Sequence, residues 1–261
     1  MQPEEDDPLK LYCQVFGDKN NPALVILHGL FGSSTNWRSI IRQLSDELYV
    51  VAADMRNHGQ SPWSASMDYP QMAEDVAALI TDQNLQKPAL LGHSMGGKAA
   101  MTLAQMGLAP VGKLIIADIA PVPYTHSHET LVRAMMEVEL RGVKNRSEVE
   151  NQLAESILNP GIRQFLLQNL VRENGHYRWR INLQAIENNM ASLLDYASAQ
   201  TADNQTLFIA GGNSEYIQAD KYSTIKRLFP NSTVETIKDA GHWIHAEKPS
   251  EFIKLIRQFI C

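Results

Sequence analysis

Cysteine is nearly missing from this chain: 261 residues hold two, Cys13 near the start and Cys261 at the end. A disulfide framework is excluded unless the two ends meet, and the expectation is two free thiols in a reducing compartment. Neither cysteine has metal-ligand spacing around it, so no zinc site is implied. No apolar run approaches the length of a membrane span. Positive charge is in deficit, with a net charge of −6, which argues against nucleic acid or an anionic membrane surface as partner. The opening "MQPEEDDPLK" is acidic and proline-bearing, the reverse of a signal peptide, and reads as a frayed leader on a cytoplasmic protein.

What the chain does have is apolar material, 44% of its residues, enough for the core of a single α/β domain. Short apolar runs alternate with amphipathic stretches. "ALVILH" (23–28), "LYVVAAD" (48–54), "PALLGH" (88–93), "KLIIAD" (113–118) and "TLFIAG" (206–211) read as buried parallel strands, and "LYCQVFG" (11–17) as an antiparallel edge. Helical patterns at 37–44, 69–83, 95–106, 221–229 and 249–260 fall between or after them. Strand–helix alternation of this kind predicts an α/β fold with a mostly parallel, doubly wound sheet. Residues 121–200 break the rhythm with helical segments only. The expected organisation is therefore a core of 1–120 and 201–261 and a helical cap of 121–200. The cap is expected after the sixth strand, over the strand C-terminal ends where open α/β sheets bind ligands.

Chemistry concentrates at three turns. "GHSMG" (92–96) sets Ser94 between two glycines, after a strand and before a small-residue helix. Glycines there let the serine sit strained and exposed above the sheet, facing a helix N-terminus. "HGLFGSSTNW" (28–37) follows a core strand, and its Leu30 N–H is expected beside the Met95 N–H as a two-donor oxyanion site. His28 reads as a structural residue of that turn, and Phe31 as a candidate substrate contact. "AGHWIHAEKP" (240–249) supplies His242 as general base, with His245 as competitor in the same loop. Two carboxylates compete for the role of acid: Asp118, at the end of "KLIIAD", and Glu215, beside the more usual position after "TLFIAG", which is occupied by Ser214. Asp118 is preferred, because its strand neighbours that of the nucleophile. Ser214 is then auxiliary to the histidine.

These residues in this order resemble the α/β-hydrolases over nearly the whole chain, and the YbfF-type small esterases in particular. The matching segments are "HGLFGSSTNW", "DMRNHGQSP" (54–62), "GHSMGGKAAM", "DIAPVPY" (118–124), "GGNSEY" (211–216) and "GHWIHAEKP". The resemblance implies a Ser94–His242–Asp118 triad with Ser214 nearby, a helical cap, and activity on small-molecule esters or thioesters, acyl-CoA included. Asp54, Arg56 and His58 of "DMRNHGQSP" read as architectural.

In the cap, Arg178 and Arg180 flank Trp179, near Arg172, and are candidates to receive an acidic or phosphate-bearing part of the substrate. Met135, Met136, Met190, Phe165, Leu166 and Leu170 are candidates for an adaptable acyl pocket. His126 and His128 have metal-like spacing without further ligands, and acyl transfer needs neither metal nor cofactor. The same scaffold supports perhydrolases, carbon–carbon bond hydrolases and ligand receptors. The oligomeric state is not legible.

Overall fold

The computed structural model describes residues 7–125 and 128–260. Its first half alternates β1 (Cys13–Phe16), β2 (Ala23–Leu27), α1 (Arg38–Leu44), β3 (Tyr49–Ala53), α2 (Tyr69–Asp82), β4 (Ala89–His93), α3 (Met95–Met106) and β5 (Leu114–Ala117). The chain then runs through α4 (Glu129–Met136), α5 (Arg146–Ala154), α6 (Pro160–Leu167), β6 (Leu170–Glu173), β7 (His176–Trp179), α7 (Leu183–Asn188) and α8 (Met190–Leu194). It ends with β8 (Thr206–Gly211), α9 (Tyr222–Leu228), β9 (Ser232–Ile237), α10 (Ile244–Glu247) and α11 (Pro249–Ile260).

Seven strands make one sheet in the order β1-β3-β2-β4-β5-β8-β9. β1 is antiparallel to β3, as its alternating sequence predicts, and every other pairing is parallel. The apolar runs are the strands covered on both faces, which is why they lack alternation. Val25, Leu27, Val51, Leu90 and Ile116 face a core shared with α2 and α3. Leu24, Ile26, Val50, Leu91 and Ile115 face the opposite one, against Ile40, Ile41 and Leu44 of α1 and Phe252, Ile253 and Ile256 of α11. Asp68 caps α2 by accepting the Gln71 N–H at 2.9 Å.

Three elements differ from the sequence reading. β9 is an edge strand with exposed Thr233, Glu235 and Thr236, so it carries no apolar run to announce it. The long excursion follows the fifth strand in chain order, one earlier than expected, because among the described residues only β1 precedes β2. It also contains an antiparallel hairpin, β6–β7, paired from Leu170↔Trp179 to Glu173↔His176. Asn174 and Gly175 form its turn with φ of 49° and 84°, the left-handed pair that an Asn-Gly hairpin turn requires. Among the described residues no helix is long and apolar enough to cross a membrane, and Cys13 is a free thiol; Cys261 lies outside them.

Parallel strands direct their C-terminal ends to one edge. The loops after β2, β4, β5, β8 and β9 therefore bring Leu30, Ser94, Asp118, Ser214 and His242 together there, beside the mouth formed with α4 and α6.

Candidate active site

Ser94 is the residue at which β4 turns into α3, with φ 51° and ψ −118°. That left-handed conformation costs a non-glycine residue about 1–3 kcal/mol and persists only where the surroundings enforce it. Here the Ser94 N–H donates to Ala117 O of β5 at 3.0 Å, and its carbonyl accepts the Lys98 N–H at 3.1 Å. The flanking glycines are needed because the backbone passes so close. A Cβ on Gly92 would lie 2.3 Å from Gly96 O, and one on Gly96 would lie 2.5 Å from Leu27 O. Met95 opens α3, so its N–H has no carbonyl one turn earlier within the helix to receive it.

Asp118 closes β5 at φ 50° and is fully buried. Its backbone N–H donates to Ile209 O at 2.8 Å. One carboxylate oxygen accepts the Gly211 N–H at 2.9 Å. The other accepts His242 Nδ1–H at 2.8 Å and the Ser214 hydroxyl. The sequence reading made Ser214 auxiliary to the histidine; it is hydrogen-bonded to the acid instead, because its side chain meets Oδ2 from the β8 side. Glu215 is exposed at the surface. The Nδ1 bond to Asp118 leaves Nε2 of His242 as the ring nitrogen for the cavity, and Tyr216 stacks on the ring at 4.0 Å and 21°.

Ser94 and His242 line one cavity of about 210 Å³, together with Leu30, Phe31, His128, Leu131, Ile162, Phe165 and Trp243. A smaller cavity of about 40 Å³ continues from Ser94, Leu30, His128 and Tyr216 to Met95, Lys98, Tyr124 and Met190. The candidate acyl-pocket residues thus divide. Phe165 and Met190 reach a cavity wall, Met135, Leu166 and Leu170 are buried in the core, and Met136 is exposed.

The loop after β2 is fixed by two histidines. His28 Nδ1–H donates to Gly29 O at 2.8 Å, and its Nε2 accepts the Met55 N–H at 2.9 Å. His58 Nδ1–H donates to Arg56 O at 2.9 Å, and its Nε2 accepts the Phe31 N–H at 3.2 Å. Burial lowers the pKa of both, that of His58 to about 3. The rest of "DMRNHGQSP" is architectural as expected. Asp54 accepts the Ser34 and Gln60 N–H groups at 2.7 and 2.8 Å, and Arg56 forks onto buried Asp75 at 2.7 and 2.9 Å.

Two further histidines crowd His242. His93 donates Nε2–H to the His242 carbonyl at 2.9 Å, and His245 stacks on Trp37 at 4.3 Å. Burial, followed by the proximity of His242, depresses both, His245 to about 3. These rings stay neutral, so they add no competing cation beside His242. His93 sits inside the elbow motif and was not singled out by the sequence reading; its ring lies 4.6 Å from that of His242.

The arginine cluster does not come to this cavity. Arg178 pairs with Glu173 across the hairpin, and Arg180 donates to Ser33 Oγ at 3.3 Å. Both line a separate groove with Trp63 and Arg172. Trp179 is buried and donates Nε1–H to Met135 O at 3.0 Å. The hairpin, unseen in the sequence, turns these side chains away from Ser94. Of the metal-like pair, His128 lines the cavity and His126 lies outside the described residues; among the described residues no cluster is arranged to hold a metal.

The sequence pattern of the alpha/beta hydrolase family spans residues 24–255 of the chain. The sn-1-specific diacylglycerol lipase ABHD11 of Xenopus tropicalis is 42% identical, over 94% of this chain and 79% of the relative. Esterase YbfF of Escherichia coli is 34% identical, over 92% of this chain and 94% of its own length. Among solved structures, a marine microorganism esterase superposes with a TM-score of 0.93 at 39% identity, covering 97% of this chain and 100% of that one.

Proposed function

We propose that this chain, which belongs to the α/β-hydrolase family, is a serine esterase that cleaves carboxylic esters of small acyl groups through an acyl-enzyme. One observation carries the serine mechanism: buried Asp118 holds His242 through Nδ1 at 2.8 Å, while strained Ser94 lines the same cavity as that ring.

His242 Nε2 takes the Ser94 proton as Oγ attacks the acyl carbon. The oxyanion is received by the N–H groups of Leu30 and Met95. In the turn after β2 the Phe31 N–H is spent on His58 and the Gly32 N–H on Gly29 O, which supports Leu30, a cavity-lining residue, as the donor on that side. Met95 supplies the other from the α3 N-terminus, and each such donor is worth about 2.7–4 kcal/mol in the barrier. His242 then protonates the leaving oxygen, and afterwards activates the water that clears the acyl group. Asp118 keeps the imidazole in its tautomer and balances the charge that forms on it. Ser214 and the Gly211 N–H hold the carboxylate in place.

Residues 121–200 act as a cap in this reading, with His128, Leu131, Ile162 and Phe165 forming the mouth above Ser94. Oxygen esters are the proposed substrates. The arginines that acyl-CoA would call on line a different groove. A fluorophosphonate probe tests the nucleophile: one equivalent is expected on the peptide carrying Ser94, and none on the Ser94→Ala variant. Equal labelling of the two, or none of the wild type, overturns the assignment.

A further inference from the structure

Lys98 is the single charged residue of α3 and is 2% exposed. Its ammonium donates to Leu194 O at 3.0 Å and Asp195 O at 2.8 Å, at the end of α8. It lies 5.3, 5.1 and 6.0 Å from the ring centres of Tyr69, Tyr124 and Tyr196. Among the described residues no carboxylate oxygen comes within ion-pair distance of Lys98. A buried cation without a counter-ion is costly, and an ammonium has three N–H donors, so one remains after the two carbonyls. Lys98 forms part of the wall of the small cavity that begins at Ser94.

The direction of the substrate follows from the base. The leaving oxygen must be within reach of His242, which protonates it. The His242–Trp243 loop walls the larger cavity, and a further groove of about 500 Å³ past Asn36, Phe165 and Trp243 adjoins it. Among the described residues, that loop contributes nothing to the smaller cavity. The alcohol therefore belongs in the large arm, and the acyl group in the small arm that Lys98 helps to wall.

Resting on the esterase reading above, we propose that Lys98 is a specificity-determining residue that receives the free carboxylate of a short dicarboxylic acyl group. The preferred substrate is then a monoester whose acyl part has about three to four carbons, since a cavity of about 40 Å³ holds only a few heavy atoms. The alcohol is bulkier and apolar. The anion supplies a contacting counter-charge, where the fold places only Asp195 beyond ion-pair distance, and the two carbonyls and three tyrosines hold the ammonium in place.

The test compares benzyl hydrogen succinate with benzyl 4-methylpentanoate, which share the alcohol and nearly the shape of the acyl end. Wild-type protein is expected to favour the anionic ester in kcat/KM. Lys98→Met is expected to shrink that preference by roughly 10- to 100-fold, the worth of a charge-assisted hydrogen bond. Both esters are read on one sample, so the ratio cancels any loss of folded protein.

The wild type alone gives a second reading. Burial lowers the Lys98 pKa to about 7, partly offset by Asp195. The three tyrosines that face it stay protonated because burial raises them, and His128 and Tyr216 also line the small cavity. The preference is expected to fall as pH rises above about 7. A neutral ester cleaved as well as the anionic one, or a preference unchanged by Lys98→Met or flat from about pH 6 to 9, overturns the inference and leaves the esterase reading intact. Failure to cleave either ester with any dependence on Ser94 removes both.

Discussion

His93, the residue before Ser94, holds the backbone carbonyl of His242 through its Nε2–H at 2.9 Å. The bond spans 149 residues of sequence and directly joins the loops that carry the candidate nucleophile and the candidate base. His93→Phe keeps the ring and removes the donor, leaving a buried carbonyl unpaired at a cost of about 1–3 kcal/mol. The expected result is a kcat about tenfold lower with KM little changed, together with a lower melting temperature. A kcat equal to wild type would show that the His242 loop needs no such tether.

Asp118 and Ser214 are predicted to separate by size of effect. Asp118→Asn places an amide against Nδ1 and favours the wrong imidazole tautomer, with an expected loss of about 10⁴-fold in kcat. Ser214→Ala removes one bond to a carboxylate that keeps the Gly211 N–H, and about tenfold is expected. Steady-state kinetics on one ester checks both. A Ser214 effect as large as that of Asp118 would mean the serine does more than steady the acid.

Stability should fall on the acid side of neutrality. His58 and His245 are buried neutral, with pKa values of about 3, while the unfolded chain binds their protons near pH 6.5. Below that pH the unfolded state holds more protons than the fold. Each histidine then removes up to about 1.4 kcal/mol per pH unit between roughly pH 6.5 and 3. Urea midpoints measured from pH 7 to 4 should decline. His245→Leu, which also deletes a buried Nδ1 without a hydrogen-bond partner, should flatten the decline; an unchanged slope would contradict the assignment.

Arg178→Gln is expected to leave kcat/KM on small esters within about twofold. Its guanidinium is exposed, pairs with Glu173 and borders a groove apart from Ser94. A KM change of tenfold would mean that the hairpin reaches the substrate after all.

What the sequence carried and what it hid follow the physics of each element. β2, β3, β4, β5 and β8 were legible because strands buried on both faces are continuous apolar runs. The loops bearing Ser94, His242 and Asp118 were legible because glycines and strand ends mark them. β9 was hidden by its exposed Thr233, Glu235 and Thr236, as edge strands often are. The β6–β7 hairpin was hidden by its polar, half-exposed strands, although Asn174-Gly175 is a strong hairpin signal and pointed to it. Missing that turn led to Arg178, Trp179 and Arg180 being read as one substrate-facing cluster, when pairing across the hairpin sends the two arginines and the tryptophan to different surroundings. Lys98 was visible as the single charge in "MGGKAAMTLAQM", but a charge on a helix is ordinarily solvated, and only the packing of α2 and α8 around it reveals its burial.

Steady-state hydrolysis of short acyl esters by wild type and Ser94→Ala tests the central claim most directly. Many turnovers per enzyme with wild type, and loss of at least about 10³-fold in the variant, are predicted. Equal rates for the two proteins, or a folded wild type that turns over no ester, would contradict it.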